Sequence, residues 1–264
     1  MLAVFKPKGA ALNNLFIRFT GYKNLIMPRK ILAFSSSTEG NSGYLQTAAP
    51  AIQKFLGNKP LHIVFVPFAA VTLSYEAYTD KVSNALKGLP YAIQVTEAAT
   101  AKIKIENADV IMVGGGNTFK LLHDLYALEL TALIKQKINS GTPYIGWSAG
   151  SNIVGATICT SNDMPIINPG TFSALGFFPF QINPHYYNQT VAGFNGETRN
   201  QRLAEFLQLN PTIPVVALPE GTGLIQEENK LMLQGNKEAF LFRWENEMVQ
   251  SVLPSGENLS YLLK

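Results

Sequence analysis

Tyr144-Ile145-Gly146-Trp147-Ser148-Ala149-Gly150-Ser151-Asn152 reads as a buried strand that stops abruptly, presents one serine and restarts as a helix. Gly146 to Gly150 fit the G-x-S-x-G pattern of a nucleophile elbow. Small residues on both sides of Ser148 permit a tight strand-to-helix turn. Such a turn lifts the hydroxyl above the sheet and aims backbone N–H groups at one spot. A chance Gly/Ser turn spells the same five letters. The reading therefore depends on whether the rest of the chain supplies a base, an acid and donors for an oxyanion.

Upstream of this stretch, apolar runs alternate with helical periodicity. Ile31 to Ser35, Leu61 to Pro67, Ala92 to Val95 and Asp109 to Val113 read as strands. Tyr44 to Leu56, Tyr75 to Leu86 and Phe119 to Ile138 read as helices, the last of them long and amphipathic. Strands separated by helices imply βαβ units and a parallel sheet, with ligands at the carboxyl ends of the strands. Gly114-Gly115-Gly116 and the Gly146–Gly150 turn both fall at such ends. Downstream the pattern loosens. Residues 157 to 190 are loop-rich, with Pro165, Pro169, Pro179 and Pro184, and a long irregular stretch inside a domain is usually functional. A helix over Thr198 to Leu209, a strand over Val215 to Pro219 and short strand-like runs at 223–226, 231–234 and 239–243 complete the chain.

Composition narrows the class. The chain has 264 residues, 47% of them hydrophobic and 15% charged, as expected of a globular protein with a large core. A net charge of +3 is too small to argue for a nucleic-acid partner. No stretch is long and apolar enough to span a bilayer. The single cysteine, Cys159, excludes an intrachain disulfide and suits a reducing compartment. No Cys/His cluster has the spacing of a metal site, so no metal is expected. Asp and Glu are absent before Glu39, whereas Lys6, Lys8, Arg18, Lys23, Arg29 and Lys30 are present. A targeting segment carries this bias, but Asn13, Asn14 and Arg18 interrupt any apolar core. The expectation is a poorly ordered extension over residues 1–28 and one α/β domain over 29–264.

A serine hydroxyl is a poor nucleophile until a base takes its proton, and that base is usually oriented by a carboxylate. The chain has only three histidines. His62 opens a buried strand and His123 lies beside Asp124 in a helix, so both read as structural. His185, in Gln181-Ile182-Asn183-Pro184-His185-Tyr186-Tyr187, follows a short strand and is the remaining base. Two carboxylates could orient it: Asp163, in a loop after the elbow, and Glu220, at the end of a buried strand. For the oxyanion, Ala149 N–H is the natural first donor. Gly114-Gly115-Gly116-Asn117 is the natural source of the second, since glycine lets the backbone approach a substrate closely. This loop lacks the Lys-Ser/Thr of a P-loop and the spacing of G-x-G-x-x-G, which argues against nucleotide binding.

At these residues the chain resembles peptidase E, the α-aspartyl dipeptidase family of serine peptidases. The matching segments are Val66-Pro67-Phe68-Ala69, Val113 to Phe119, Tyr144 to Gly150, Thr160-Ser161-Asn162-Asp163-Met164-Pro165-Ile166, Gln181 to His185, Gly196-Glu197-Thr198-Arg199 and Leu218-Pro219-Glu220-Gly221. The resemblance implies a three-layer α/β sandwich about a mostly parallel sheet, like class I glutamine amidotransferases and so flavodoxin-like. It implies hydrolysis of Asp-Xaa dipeptides in the cytoplasm, without metal or cofactor. It places the nucleophile at Ser148, the base at His185 and the third member at Asp163 or Glu220, with Gly116 and Ala149 forming the oxyanion hole. Arg199 and Asn117 are the implied substrate-binding residues. A planar guanidinium fork suits the aspartate carboxylate, whereas an exposed ion pair of Arg199 with Glu197 or Glu205 would contribute little. The partner expected is a small peptide, with monomer and homodimer both open. The alternatives are a cyanophycinase-like hydrolase of another aspartyl substrate and a non-catalytic small-molecule-binding relative of the same fold.

Overall fold

The computed structural model describes residues 28–190, 193 and 195–264. The basic extension read over residues 1–28 thus lies, but for Pro28, outside the described residues. The first half of the chain alternates β1 (Lys30–Phe34), α1 (Ala49–Leu56), β2 (Leu61–Val66), α2 (Tyr75–Ala85), β3 (Tyr91–Val95), α3 (Ala101–Glu106), β4 (Val110–Val113), α4 (Thr118–Ala127), α5 (Leu130–Asn139), β5 (Tyr144–Trp147) and α6 (Ala149–Asn152). After the proline-rich loops come β6 (Gln181–Pro184), α7 (Arg199–Leu209), β7 (Val215–Leu218), β8 (Gly223–Glu227), β9 (Lys230–Gln234), β10 (Ala239–Trp244) and β11 (Met248–Leu253).

One sheet has the order β3-β2-β4-β5-β1-β8-β9. Its first five strands are parallel, and the β8–β9 hairpin closes one edge antiparallel to β1. The inner parallel strands are apolar runs because both faces are covered. Alternate side chains leave on opposite faces. Ile31 and Ala33 join the cluster formed with α3, α4, α5 and α6, whereas Leu32 and Phe34 join the cluster formed with α1 and α2. The result is a three-layer sandwich about a mostly parallel sheet. β3 is at the edge and alternates half-buried with exposed residues.

A second sheet, ordered β11-β10-β7-β6, takes up the runs at 215–218 and 239–243. Within it β6 and β7 are parallel, and the other pairings are antiparallel. Helix α7 covers it with Leu203 and Leu207, packed against Val215, Ala217 and Phe242. Thr198 caps α7 through a capping box with Gln201.

Two helix readings need correction. The helix expected over Phe119–Ile138 is two helices, α4 and α5, separated by Glu129 in the left-handed region (φ 55°, ψ 33°). Leu121, Leu122 and Leu125 are buried on α4, and Leu130, Ile134 and Ile138 on α5. The step from Leu125 to Leu130 would carry a continuous helix about 140° round its axis, so only a break keeps both stripes on the sheet. The helix expected from Tyr44 begins at Ala49 instead. Leu45 has φ 53°, and Pro50, which lacks an N–H, stands in the first turn of α1, where it is tolerated. The short helix α3, held by buried Ala101 and Ile105, has no counterpart in the sequence reading.

Candidate active site

Ser148 caps β5 with φ 52° and ψ −113°, a strained conformation for a residue with a side chain, costing on the order of 1–3 kcal/mol. Neighbouring bonds impose it. Ser148 N–H donates to Phe34 O at 3.2 Å, and Ser148 O accepts from Ser151 and Asn152 N–H. The Ser151 hydroxyl has one proton to donate, and it goes to Phe34 O at 2.6 Å, with Gly146 O the more distant acceptor at 3.0 Å. The elbow is tight enough to require its glycines. A Cβ on Gly146 would lie 2.4 Å from Gly150 O, and one on Gly150 would lie 2.3 Å from Val113 O. Gly150→Ala is therefore expected to push α6 away from β4. A loss of about 1–3 kcal/mol, the usual penalty of overpacking, should appear in a thermal melt together with loss of most activity.

His185 and Glu220 come from the second sheet. Because β6 and β7 are parallel, with Pro184 opposite Leu218, both strands end on the same side. Residues just past each end become neighbours. His185 Nδ1 lies 2.8 Å from Glu220 Oε1, and His185 Nε2 lies 3.0 Å from Ser148 Oγ. A carboxylate accepts, so Nδ1 carries the proton and Nε2 is left to accept the serine O–H. Both side chains are open to solvent, 41% exposed for His185 and 46% for Glu220. His185 also has φ 52°. Ser35, at the end of β1, fixes its backbone. Ser35 Oγ accepts His185 N–H at 2.9 Å and donates to Leu218 O at 2.7 Å. Ser35 thus ties the sheet that carries Ser148 to the sheet that carries His185. It is a site residue that sequence reading missed, and its one signal was the polar run Ser35-Ser36-Ser37-Thr38 ending a buried strand. Asn152, in the helix after the nucleophile, makes a second tie by donating to Ile182 O at 2.8 Å.

Of the two carboxylates, Glu220 is the one that bonds the histidine. Asp163 is corrected to a different place: its Oδ2 accepts Thr118 N–H at 2.7 Å, Thr118 O–H at 2.5 Å and Ser161 O–H at 3.1 Å. A carboxylate at the first turn of α4 is favoured there by free N–H groups and the helix dipole. It anchors the loop after the elbow. Asn117 lines a cavity in front of Ser148; its Oδ1 caps α4 by accepting Lys120 N–H, and its Nδ2 donates to Met164 O at 2.8 Å. Both ends of the amide hold structure. His123 pairs with Asp124 at 2.9 Å, and His62 lies near the start of β2, so neither reaches Ser148.

A cavity of about 420 Å³ opens before Ser148, lined by Gly115, Gly116, Trp147, His185, Tyr44, Tyr78, Lys81 and residues 69–73. This volume falls in the usual small-molecule range. Ala149, the first residue of α6, has an N–H outside the helical ladder. Gly116 has φ 134° and would clash with Ala69 O at 2.3 Å if it carried a Cβ. Gly115 faces the nucleophile, where a Cβ would lie 2.9 Å from Ser148 Cβ. Arg199 lines a separate small cavity with Asn162, Asn183 and Arg202, and its Nη1 donates to Asn183 Oδ1 at 3.2 Å. Burial first, and Arg202 second, push the Arg199 pKa down, yet arginine stays charged. Among the described residues Glu197 pairs with Arg202, and no carboxylate pairs with Arg199. No described cluster of His, Cys, Asp and Glu side chains is arranged to hold a metal, and no described helix is long and apolar enough to cross a membrane.

Comparison with known proteins identifies the family. The family model described as peptidase family S51 matches residues 31–234, a range that includes Ser148, His185 and Glu220. Peptidase E of Nostoc sp. is 48% identical over 241 residues, covering 90% of this chain and 98% of that protein. Peptidase E of Shewanella amazonensis is 45% identical, covering 89% and 99%. Among solved structures, a peptidase from an acI-B1 actinobacterium shares the fold with a TM-score of 0.64 at 16% identity, covering 89% of this chain and 97% of that one. A putative peptidase E protein from Listeria monocytogenes does so with a TM-score of 0.60 at 20% identity, covering 79% and 99%. The chain belongs to peptidase family S51 and is a serine-type peptidase.

Proposed function

We propose that this chain is a dipeptidase that hydrolyses dipeptides with an N-terminal aspartate through an acyl-enzyme on Ser148. The observation that carries the reading is the unbroken relay from Ser148 Oγ through His185 to Glu220, at 3.0 and 2.8 Å. Ser148 Oγ attacks the aspartyl carbonyl carbon while His185 Nε2 takes its proton. Glu220 keeps the imidazole in the tautomer that can accept, then faces the imidazolium. The carbonyl oxygen, now negative, sits between Gly116 and Ala149 N–H groups. His185 returns the proton to the leaving amine, the C–N bond breaks, and the second residue departs. Water, deprotonated by His185, then attacks the ester and releases aspartate.

Specificity for aspartate is assigned to Arg199. It is half-buried and lacks a carboxylate partner among the described residues. It is held by Asn183, which lies on β6 two residues before His185. A cation so placed favours a ligand that brings its own carboxylate. The peptidase E name of the relatives supports the same reading. Arg199→Ala is expected to lower kcat/KM for Asp-Leu by about 10²–10³-fold, the usual cost of truncating one partner of a buried charge pair. Turnover of Ala-Leu should stay within a few-fold of wild type. Equal losses on both substrates, or wild-type release of free aspartate by the variant, would remove the clamp. A cytoplasmic location is part of the same proposal, in keeping with the one free thiol, Cys159, and cell fractionation tests it.

A further inference from the structure

We infer that Tyr78 is a positioning residue for the oxyanion site: its hydroxyl sets the plane of the Gly115–Gly116 peptide and so the direction of the Gly116 N–H. The inference rests on the reading of Gly116 and Ala149 as the oxyanion donors. A phenol has one proton to give and two lone pairs, and Tyr78, buried on α2, uses all three. It donates to Gly115 O at 3.0 Å, accepts from Trp147 Nε1 at 3.2 Å and accepts from the Tyr44 hydroxyl at 3.1 Å. The directions are forced. An indole N–H can only donate and a carbonyl can only accept, so the Tyr78 proton goes to Gly115 and Tyr44 must supply its own.

A planar trans peptide points its carbonyl and its N–H in opposite directions, and no cis bond occurs among the described residues. Holding Gly115 O on Tyr78 therefore turns the Gly116 N–H away from α2. Backbone bonds fix the loop on either side: Gly114 N–H to Val66 O at 3.1 Å, and Asn117 N–H to Ala69 O at 2.8 Å. The peptide between two glycines has no side chain of its own to resist rotation, and glycine crosses φ/ψ space at little cost. Tyr78 is what holds that middle peptide. Its bond to Trp147, the residue before Ser148, also sets the glycine loop in register with the elbow. Trp147 is in turn stacked on Phe65 (centroids 5.8 Å apart), whose ring meets Tyr78 edge-on at 4.9 Å. Burial raises the Tyr78 pKa, so the phenol keeps its proton.

Tyr78→Phe retains the ring and removes only the hydroxyl. Deleting one oxyanion donor outright lowers kcat by about 10²–10³-fold, and releasing its orientation should cost somewhat less. The expected result is a kcat for Asp-Leu about 10–100-fold lower, with KM within about threefold. The second readout is the rate at which a small fluorophosphonate labels Ser148. There the Oγ–P bond forms, fluoride leaves, and the phosphoryl oxygen occupies the same hole. That rate should fall by a factor similar to kcat, and mass spectrometry follows it without any aspartyl substrate. Tyr91→Phe, which deletes a phenol-to-carbonyl bond at Gly57 remote from the site, should leave both readouts unchanged. Wild-type kcat and labelling in Tyr78→Phe, or a loss confined to KM, would overturn the inference. If that variant does not fold, 2,3-difluorotyrosine at position 78, a stronger donor with the ring kept, should raise the labelling rate by about twofold through polarisation of the Gly115–Gly116 peptide. An unchanged or lower rate would count against it. A wild-type protein that is labelled at Ser148 yet ignores Asp-Leu would refute the substrate reading, while the labelling rates would still decide the role of Tyr78.

Discussion

Ser148→Ala is expected to lower kcat for an Asp-Leu dipeptide by on the order of 10⁴–10⁶-fold, while the protein melts within a few degrees of wild type. The loss is large because the hydroxyl is the atom that forms the acyl bond, and neither His185 nor the oxyanion donors can replace it. What remains is the rate that binding and electrostatic stabilisation can lend to water. The small effect on stability follows from what the residue does in the fold. Its structural bonds are made by its backbone, with N–H to Phe34 O and C=O to Ser151 and Asn152 N–H, and alanine keeps all three. Alanine also keeps the Cβ, so the strained φ of 52° is neither relieved nor worsened. Fluorophosphonate labelling should vanish in parallel. Turnover near wild type by this variant would end the acyl-enzyme mechanism, and a large drop in melting temperature would mean that the hydroxyl is structural.

Glu220→Gln is expected to lower kcat by about 10²–10⁴-fold with little change in KM. The amide has the shape of the carboxylate, but it can offer an N–H to His185 Nδ1. The imidazole then carries its proton on Nε2, facing Ser148, where it cannot accept another. The lower part of the range is favoured because His185 and Glu220 are 41% and 46% exposed, so water can take over part of the orienting role. Asp163→Asn should behave differently. It weakens two bonds to Thr118 at the first turn of α4 and one to Ser161, worth about 1–2 kcal/mol together given partial exposure, or roughly 3–6 °C in melting temperature for a chain of this size. Its effect on turnover travels through Thr118 to the neighbouring Gly116. Glu220→Gln should leave the melt almost unmoved. A melt unchanged by Asp163→Asn with kcat abolished, beside full activity in Glu220→Gln, would exchange the two roles.

The alternating half of the fold was legible because its signals are local. Buried parallel strands are apolar on both faces, and three of them, β1, β4 and β5, run into serine- or glycine-rich turns. The break within residues 119–138 is hidden because apolar residues recur on both sides of it, while the phase slips between Leu125 and Leu130. The second sheet was harder to see. Its strands are short, and nothing in Val215–Leu218 or Ala239–Trp244 states which sheet it joins. Ser35 and Tyr78 were missed for a related reason. A serine after a strand and a tyrosine on a helix are ordinary locally, and their importance lies in partners far along the chain: Leu218 and His185 for one, Gly115 and Trp147 for the other.

Ser148 and His185 could be singled out as the proposed nucleophile and base from the chain by itself. The elbow is built within a few residues, where glycines relieve clashes that any side chain would create, and His185 was what remained when two of three histidines read as structural. Which carboxylate meets His185 depends on contacts far apart in the chain. Asp163 and Glu220 are equally plausible as loop carboxylates. The choice falls to Glu220 because β6 and β7 pair in parallel with Pro184 opposite Leu218, which brings together side chains 35 positions apart. Strand register is set by packing across the whole second sheet, and no short stretch of the chain contains it.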